Sequence, residues 1–166
     1  MLFRSYASYI AASLAYLVLH QQDSVGVTFF EDKIRYLIPA SGQASHLKQI
    51  LHLLAVCQPA NVKSRIGPVL HELAERLQRR SLVMLLSDCF DDVDEILSGL
   101  RHLRYKRHEV VVMQVLDRNE LEFPFQEMTK FEGLESWPEV LADPRGLRDA
   151  YLSEFSEFRQ IGRAHV

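Results

Sequence analysis

The sequence predicts an α/β fold: a mostly parallel sheet flanked by helices, with one antiparallel strand at its edge. Three observations point to it. The runs Val25–Phe30 (VGVTFF), 81–87 (SLVMLLS) and 109–116 (EVVVMQVL) are almost continuously apolar and rich in β-branched residues, as expected of strands covered on both faces. Around them lie stretches whose apolar residues recur at spacings of three and four, the period of helices packed by one face. The two kinds of segment alternate, so a parallel sheet with right-handed crossovers is the economical way to join them.

Taken in order, residues 6–20 place Ile10, Leu14, Leu17 and Val18 at i, i+4, i+7 and i+8, an apolar stripe on a helix that Gln21, Gln22 and Asp23 end. After the first strand, Glu31 and Asp32 make a tight polar turn. Residues 33–38 (KIRYLI) then alternate polar and apolar before Pro39, the pattern of a half-exposed antiparallel edge strand. Ser45 is the expected N-cap of a helix with Leu47, Ile50, Leu51 and Leu54 facing inward, fading before Pro59. A polar loop, 60–65, leads to a helix with Ile66, Val69, Leu70, Leu73 and Leu77 on one face and Glu72, Glu75, Arg76 and Arg79 on the other. Pro68 is tolerated there because it lies in the first turn. The helix after Asp92 points Ile96, Leu97, Leu100 and Leu103 inward. Beyond the third strand Asp117 and Asn119 break the pattern, and 128–134 and 140–143 pair as short strands around 135–139. Pro144 starts a last helix with Leu147, Tyr151, Leu152, Phe155 and Phe158 on one side.

The bulk numbers narrow the class. A chain of 166 residues, 48% hydrophobic and 25% charged, has the length and balance of one soluble globular domain with a real core. A formal net charge of -3 and a pI near 6.2, with no dense Lys/Arg run, argue against a nucleic-acid partner. Cys57 and Cys89 form neither a Cys-x-x-Cys pair nor a disulfide framework, so a reducing, cytoplasmic location is expected. The longest early apolar stretch, 9–19, is too short to span a bilayer and lacks a small-residue cleavage site.

Both ends carry a foreign signature. Residues 161–166 (IGRAHV) match one reading frame of a widely used short-read sequencing adapter, and residues 2–5 (LFRS) match the adapter of the complementary end. Residues 1–5 and 161–166 are therefore expected to be artefacts flanking a partial domain at 6–160, and are set aside in reading the fold.

Candidate chemistry gathers at one strand end. Asp88, followed by Asp91 and Asp92, stands where an apolar strand gives way to a helix, and ligands of open parallel sheets bind outside the carboxyl ends of the strands. Carboxylates there, with the hydroxyls of Ser87 and Ser64, make a hard oxygen environment suited to Mg²⁺ or Mn²⁺ rather than zinc. Asp91 and Asp92 are read as caps of the following helix, and Asp88, too early for the simplest cap, as the ligand. The seven histidines, His20, His46, His52, His71, His102, His108 and His165, include no pair with the spacing of a zinc-binding helix, and Glu75 stands where the second His of a His71-Glu72 metalloprotease motif would be. No phosphate loop, dinucleotide fingerprint or nucleophile elbow occurs, and Cys89, with no evident base, is read as a structural thiol. The basic group of Arg101, His102, Arg104, Lys106, Arg107 and His108 is read as complementing a helix C-terminus.

The order YASYIAASLAYLVLHQQDSVGVTFFEDKIRYLIP, LHELAERLQRRSLVMLLSDCFDD, LRHLRYKRHEVVVMQVLD and LEFPF resembles, from Tyr6 to about Phe158, a bacterial and archaeal family of von Willebrand factor A-like domains of unknown function associated with MoxR-type AAA+ ATPases. The resemblance implies a Rossmann-like sheet whose upper edge holds a metal-ion-dependent adhesion site: an Asp-x-Ser-x-Ser loop, a Thr or Ser from a second loop and an Asp from a third. Ser64 stands at the second position and Asp88 at the third. No Asp-x-Ser-x-Ser occurs in the chain, so the resemblance implies a truncated domain lacking its first strand, which would lie between Val25–Phe30 and 81–87, and a partial site. The function implied is a non-enzymatic, Mg²⁺-assisted protein-interaction module acting with a MoxR-type AAA+ ATPase on a client protein. The alternative is a Mg²⁺-dependent phosphoryl-transfer or receiver-like domain using Asp88, disfavoured because Asp117-Arg118, with no lysine, follows the third strand.

Overall fold

A computed structural model describes residues 2–57, 64–131 and 140–164 of the chain. Helix α1 (Leu2–His20) leads into β1 (Val25–Phe30) and β2 (Ile34–Ser41), followed by α2 (His46–Val56) and α3 (Ile66–Arg76). Then come β3 (Leu82–Ser87), α4 (Val93–Tyr105), β4 (Glu109–Gln114), the short α5 (Arg118–Glu122), β5 (Thr129–Phe131), β6 (Val140–Ala142) and α6 (Pro144–Ala164). Helices and strands thus mix as the sequence predicts, and β1 coincides with its predicted run. The last two strands also pair as predicted; residues 135–139 between them lie outside the described residues.

The sheet departs from expectation. Instead of one mostly parallel sheet there are three two-stranded ones among the described residues: β1 with β2 antiparallel, β3 with β4 parallel, β5 with β6 antiparallel. The β3–β4 pair is in register from Leu82↔Glu109 to Ser87↔Gln114, and α4 makes the crossover between them. Helix α1 packs on both β1 and β3, yet these two strands are not neighbours in any sheet. Nor are β3 and β4 covered on both faces. Burial along β3 alternates, Leu82 and Met84 lying exposed while Leu85 and Ser87 are buried, and Val111 of β4 is exposed too.

The core lies on the covered face of β3–β4. Leu85 packs with Ile66, Leu70 and Ala74 of α3 and with Ile96, Leu97, Leu100 and Leu103 of α4. The two helices approach closely because each offers a glycine at the crossing: a Cβ on Gly99 would lie 2.7 Å from the Cβ of Leu70, and one on Gly67 2.8 Å from that of Glu95. All four inward residues predicted for α4 are buried. In α2 Ile50 is buried but Leu51, predicted to face inward, is exposed, and in α6 Phe155 is buried while Leu147 is exposed. Ser45 sits in helical geometry and makes no cap bond, so the cap predicted there is absent. Where the sequence suggested only a break, Asp117 and Glu120 form a reciprocal capping box that starts α5.

Two histidines serve the fold. Buried His46 donates from Nε2 to the Val25 carbonyl at 2.8 Å, tying α2 to β1. Buried His108 accepts the Ser81 N–H at Nδ1 (3.2 Å), which leaves its proton on Nε2, a buried atom without a partner among the described residues. Burial, helped by the Lys106 charge, holds His108 below the ordinary histidine value of 6.5. The folded state therefore resists a proton that the unfolded chain accepts, and stability falls as pH drops through and below about 6.5. Urea midpoints at pH 7.5 and 5.5 should differ less in His108→Gln, which keeps an acceptor but cannot titrate, than in the unsubstituted chain.

Candidate functional site

The parallel register of β3 and β4 brings their carboxyl ends to one side, and the chain leaves β3 there through Asp88. The loop is held by its own side chains. Asp88 Oδ1 accepts the Phe90 N–H at 3.1 Å and lies 3.4 Å from the Ser87 hydroxyl, while buried Ser87 accepts the Cys89 N–H at 3.0 Å. The Gln114 side-chain amide, from the end of β4, donates to the Asp88 carbonyl at 3.0 Å. Cys89 takes a left-handed conformation, φ 63°, which turns the chain sharply. Burial first, and the Asp88 charge second, push its thiol up to about 11, so it stays protonated at neutral pH, as a structural thiol does.

The acidic residues divide the work differently from the sequence expectation. Asp92 caps α4, accepting the Glu95 N–H at 3.0 Å, as predicted. Asp91 does not cap that helix. It reaches across to accept the Ile66 N–H at 2.7 Å, at the start of α3, because the loop turns back after Cys89. This bond pins the Asp88 loop to the segment carrying Ser64, itself held by the Arg65 N–H donating to the Glu31 carbonyl at 2.9 Å. The loops bearing the two predicted ligands are thereby tied at one end of the β3–β4 pair.

Aromatic rings of α6 pack against Phe90 of the loop. Phe90 lies 5.3 Å from Phe158 and 6.0 Å from Phe155 between ring centroids, and the stack continues through Tyr151 to Phe123. The α6 stripe read from the sequence thus seats the Asp88 loop, a role its periodicity did not disclose.

Asp88, Ser87 and Ser64 match Mg²⁺ in the kind of atom they offer, hard oxygen, but not in number, since octahedral Mg²⁺ takes about six ligands. Among the described residues no group of three or more His, Cys, Asp or Glu is arranged to hold a metal ion. What the arrangement offers directly is a partly buried aspartate on a loop held by hydrogen bonds from both strands. The structure also brings together His71 of α3 and His102 of α4, which a search for paired histidines along one helix cannot find.

The family described as protein of unknown function DUF58 matches residues 3–160, a span that includes both loops. No curated protein and no solved structure matches the chain.

Proposed function

The chain belongs to the DUF58 family, and on that premise we propose that it is a protein-recognition module rather than an enzyme, a von Willebrand factor A-like domain that receives an acidic group of its partner at the Asp88 strand end. The observation that carries this reading is the place of Asp88, at the carboxyl end of a parallel strand in a β-α-β unit, on a loop tied to that of Ser64. Bound Mg²⁺ would offset the repulsion between Asp88 and an incoming Asp or Glu. Asp88 and Ser64 would be two of its ligands, and the rest would come from an Asp-x-Ser-x-Ser loop that this sequence does not contain. The partner proposed is a MoxR-type AAA+ ATPase, with the module acting in assembly or activation of a client; this rests on the family resemblance of the quoted segments. Among the described residues no helix is long and apolar enough to cross a membrane.

In a chain extended by such a loop, Asp88→Ala should lower Mg²⁺-dependent retention of the ATPase about tenfold or more, roughly 1.4 kcal/mol, and Ser64→Ala should lower it less. Both should keep the far-ultraviolet circular dichroism of the parent, since neither side chain belongs to the core. Equal retention by both variants, with or without chelator, sinks the reading. Stable labelling of Asp88 by acetyl phosphate would favour the phosphoryl-transfer alternative instead.

A further inference from the structure

Helices α3 and α4 build a second constellation outside the Asp88 loop. His71 lies four residues after Gly67 and His102 three after Gly99, so each imidazole projects from the face on which its glycine makes the close helix contact. The rings meet with centroids 5.1 Å apart and their Nδ1 atoms 2.9 Å apart. Both outer nitrogens are held. His102 Nε2 lies 3.0 Å from Glu75 Oε1, whose other oxygen takes Lys106 Nζ at 3.0 Å, and His71 Nε2 lies 3.4 Å from the Ser98 hydroxyl. The His102 side chain remains 24% exposed, so the pair is reachable from solvent.

We propose that His71 and His102 form a two-imidazole site for a tetragonal divalent transition cation, Cu²⁺ or Ni²⁺, bound between their Nδ1 atoms. Two nitrogens each about 2.0–2.1 Å from one cation lie about 2.9–3.3 Å apart, so the pair can exchange its hydrogen bond for a shared cation with little movement, and among first-row divalent ions Ni²⁺ and above all Cu²⁺ bind nitrogen ligands most tightly. The outer partners match those of metal-bound imidazoles, in which the far N–H is held by a carboxylate or other acceptor. Glu75 fixes the His102 proton on Nε2 and leaves its Nδ1 lone pair facing His71. Without a cation, the His71 Nδ1–H donates to that lone pair and Ser98 donates to His71 Nε2. With a cation, the His71 proton resides on Nε2 and Ser98 accepts it, a reversal open to a hydroxyl, and both Nδ1 lone pairs face the metal. The rearrangement moves one proton from Nδ1 to Nε2 within His71 and releases none. Water completes the coordination, since no third His, Cys, Asp or Glu joins the group among the described residues.

Calorimetric titration of the chain with CuCl₂ or NiCl₂ should show one equivalent bound in the micromolar range. MgCl₂ should give no heat at this site. Each of His71→Ala and His102→Ala should weaken binding at least tenfold, and Glu75→Gln by a smaller factor. The Cu²⁺ adduct should show electron paramagnetic hyperfine structure from two nitrogens. A saturating cation should also raise the thermal midpoint of the unsubstituted chain and not of the histidine variants, which separates loss of the site from loss of the fold. Binding of equal affinity in both histidine variants, or none up to about 1 mM, a weak limit near 4.1 kcal/mol, overturns the proposal.

Discussion

Replacing Leu85 with aspartate is expected to unfold the chain. Leu85 is 4% exposed and faces the residues of α3 and α4 that make the core. The substitution removes the burial of a leucine side chain, worth about 1.5–3 kcal/mol, and leaves a carboxylate with no partner in an apolar site, which costs several kcal/mol more. Domain stabilities of about 5–15 kcal/mol cannot absorb that loss, least of all here, where no described sheet exceeds two strands. Leu82→Asp is the control, because Leu82 belongs to the same strand, is 58% exposed and should change stability by no more than about 0.5 kcal/mol. Circular dichroism through a urea titration reads both. Since side chains alternate along a strand, unfolding by both variants would mean that both faces of β3 are covered, and the reverse ranking that β3 presents its faces the other way round.

The difference between these two leucines marks how far the sequence could be read. The run at 81–87 declares a strand by its composition, and the i, i+3, i+4 spacing in α4 identifies Ile96, Leu97, Leu100 and Leu103 as core, because each signal lies within one element. Which face of a continuously apolar strand is covered depends on its neighbours, and that information is absent from the run itself. The same limit applies to the site. Asp88 at a strand end and Asp92 as a cap follow from local order, whereas the bond from Asp91 to the Ile66 N–H joins segments 25 positions apart. The His71–His102 contact spans 31 positions and leaves a faint trace, a glycine one turn before each histidine, which gains meaning only once the two helices are known to cross. The Asp117–Glu120 box was legible as an Asp followed three residues later by a Glu, a cap signature hidden by reading Asp117 only as a breaker.

At micromolar concentration the chain is expected to bind a hydrophobic dye and to associate with itself, and Leu82→Lys, Met84→Lys and Val111→Lys combined should abolish most of both with little loss of stability. These three residues are 58%, 36% and 40% exposed and share the face of the β3–β4 pair that α3 and α4 leave uncovered. A contiguous apolar face of this kind drives association. Among the described residues β1 pairs only with β2 and β3 only with β4, so an edge of β1 and an edge of β3 each offer backbone N–H and C=O groups to another strand, with α1 packed on both. The von Willebrand factor A-like reading places one strand between β1 and β3. On that reading, a chain extended by such a strand and its Asp-x-Ser-x-Ser loop should satisfy both edges, lose dye binding and unfold in one cooperative step, whereas the present chain should unfold over a broad range. Light scattering, dye fluorescence and chemical denaturation of the two chains distinguish these outcomes. A present chain that is monomeric and dye-silent, with one sharp transition of normal slope for its size, would mean that β1 and β3 need no strand between them, and the von Willebrand factor A-like reading would fall with that placement.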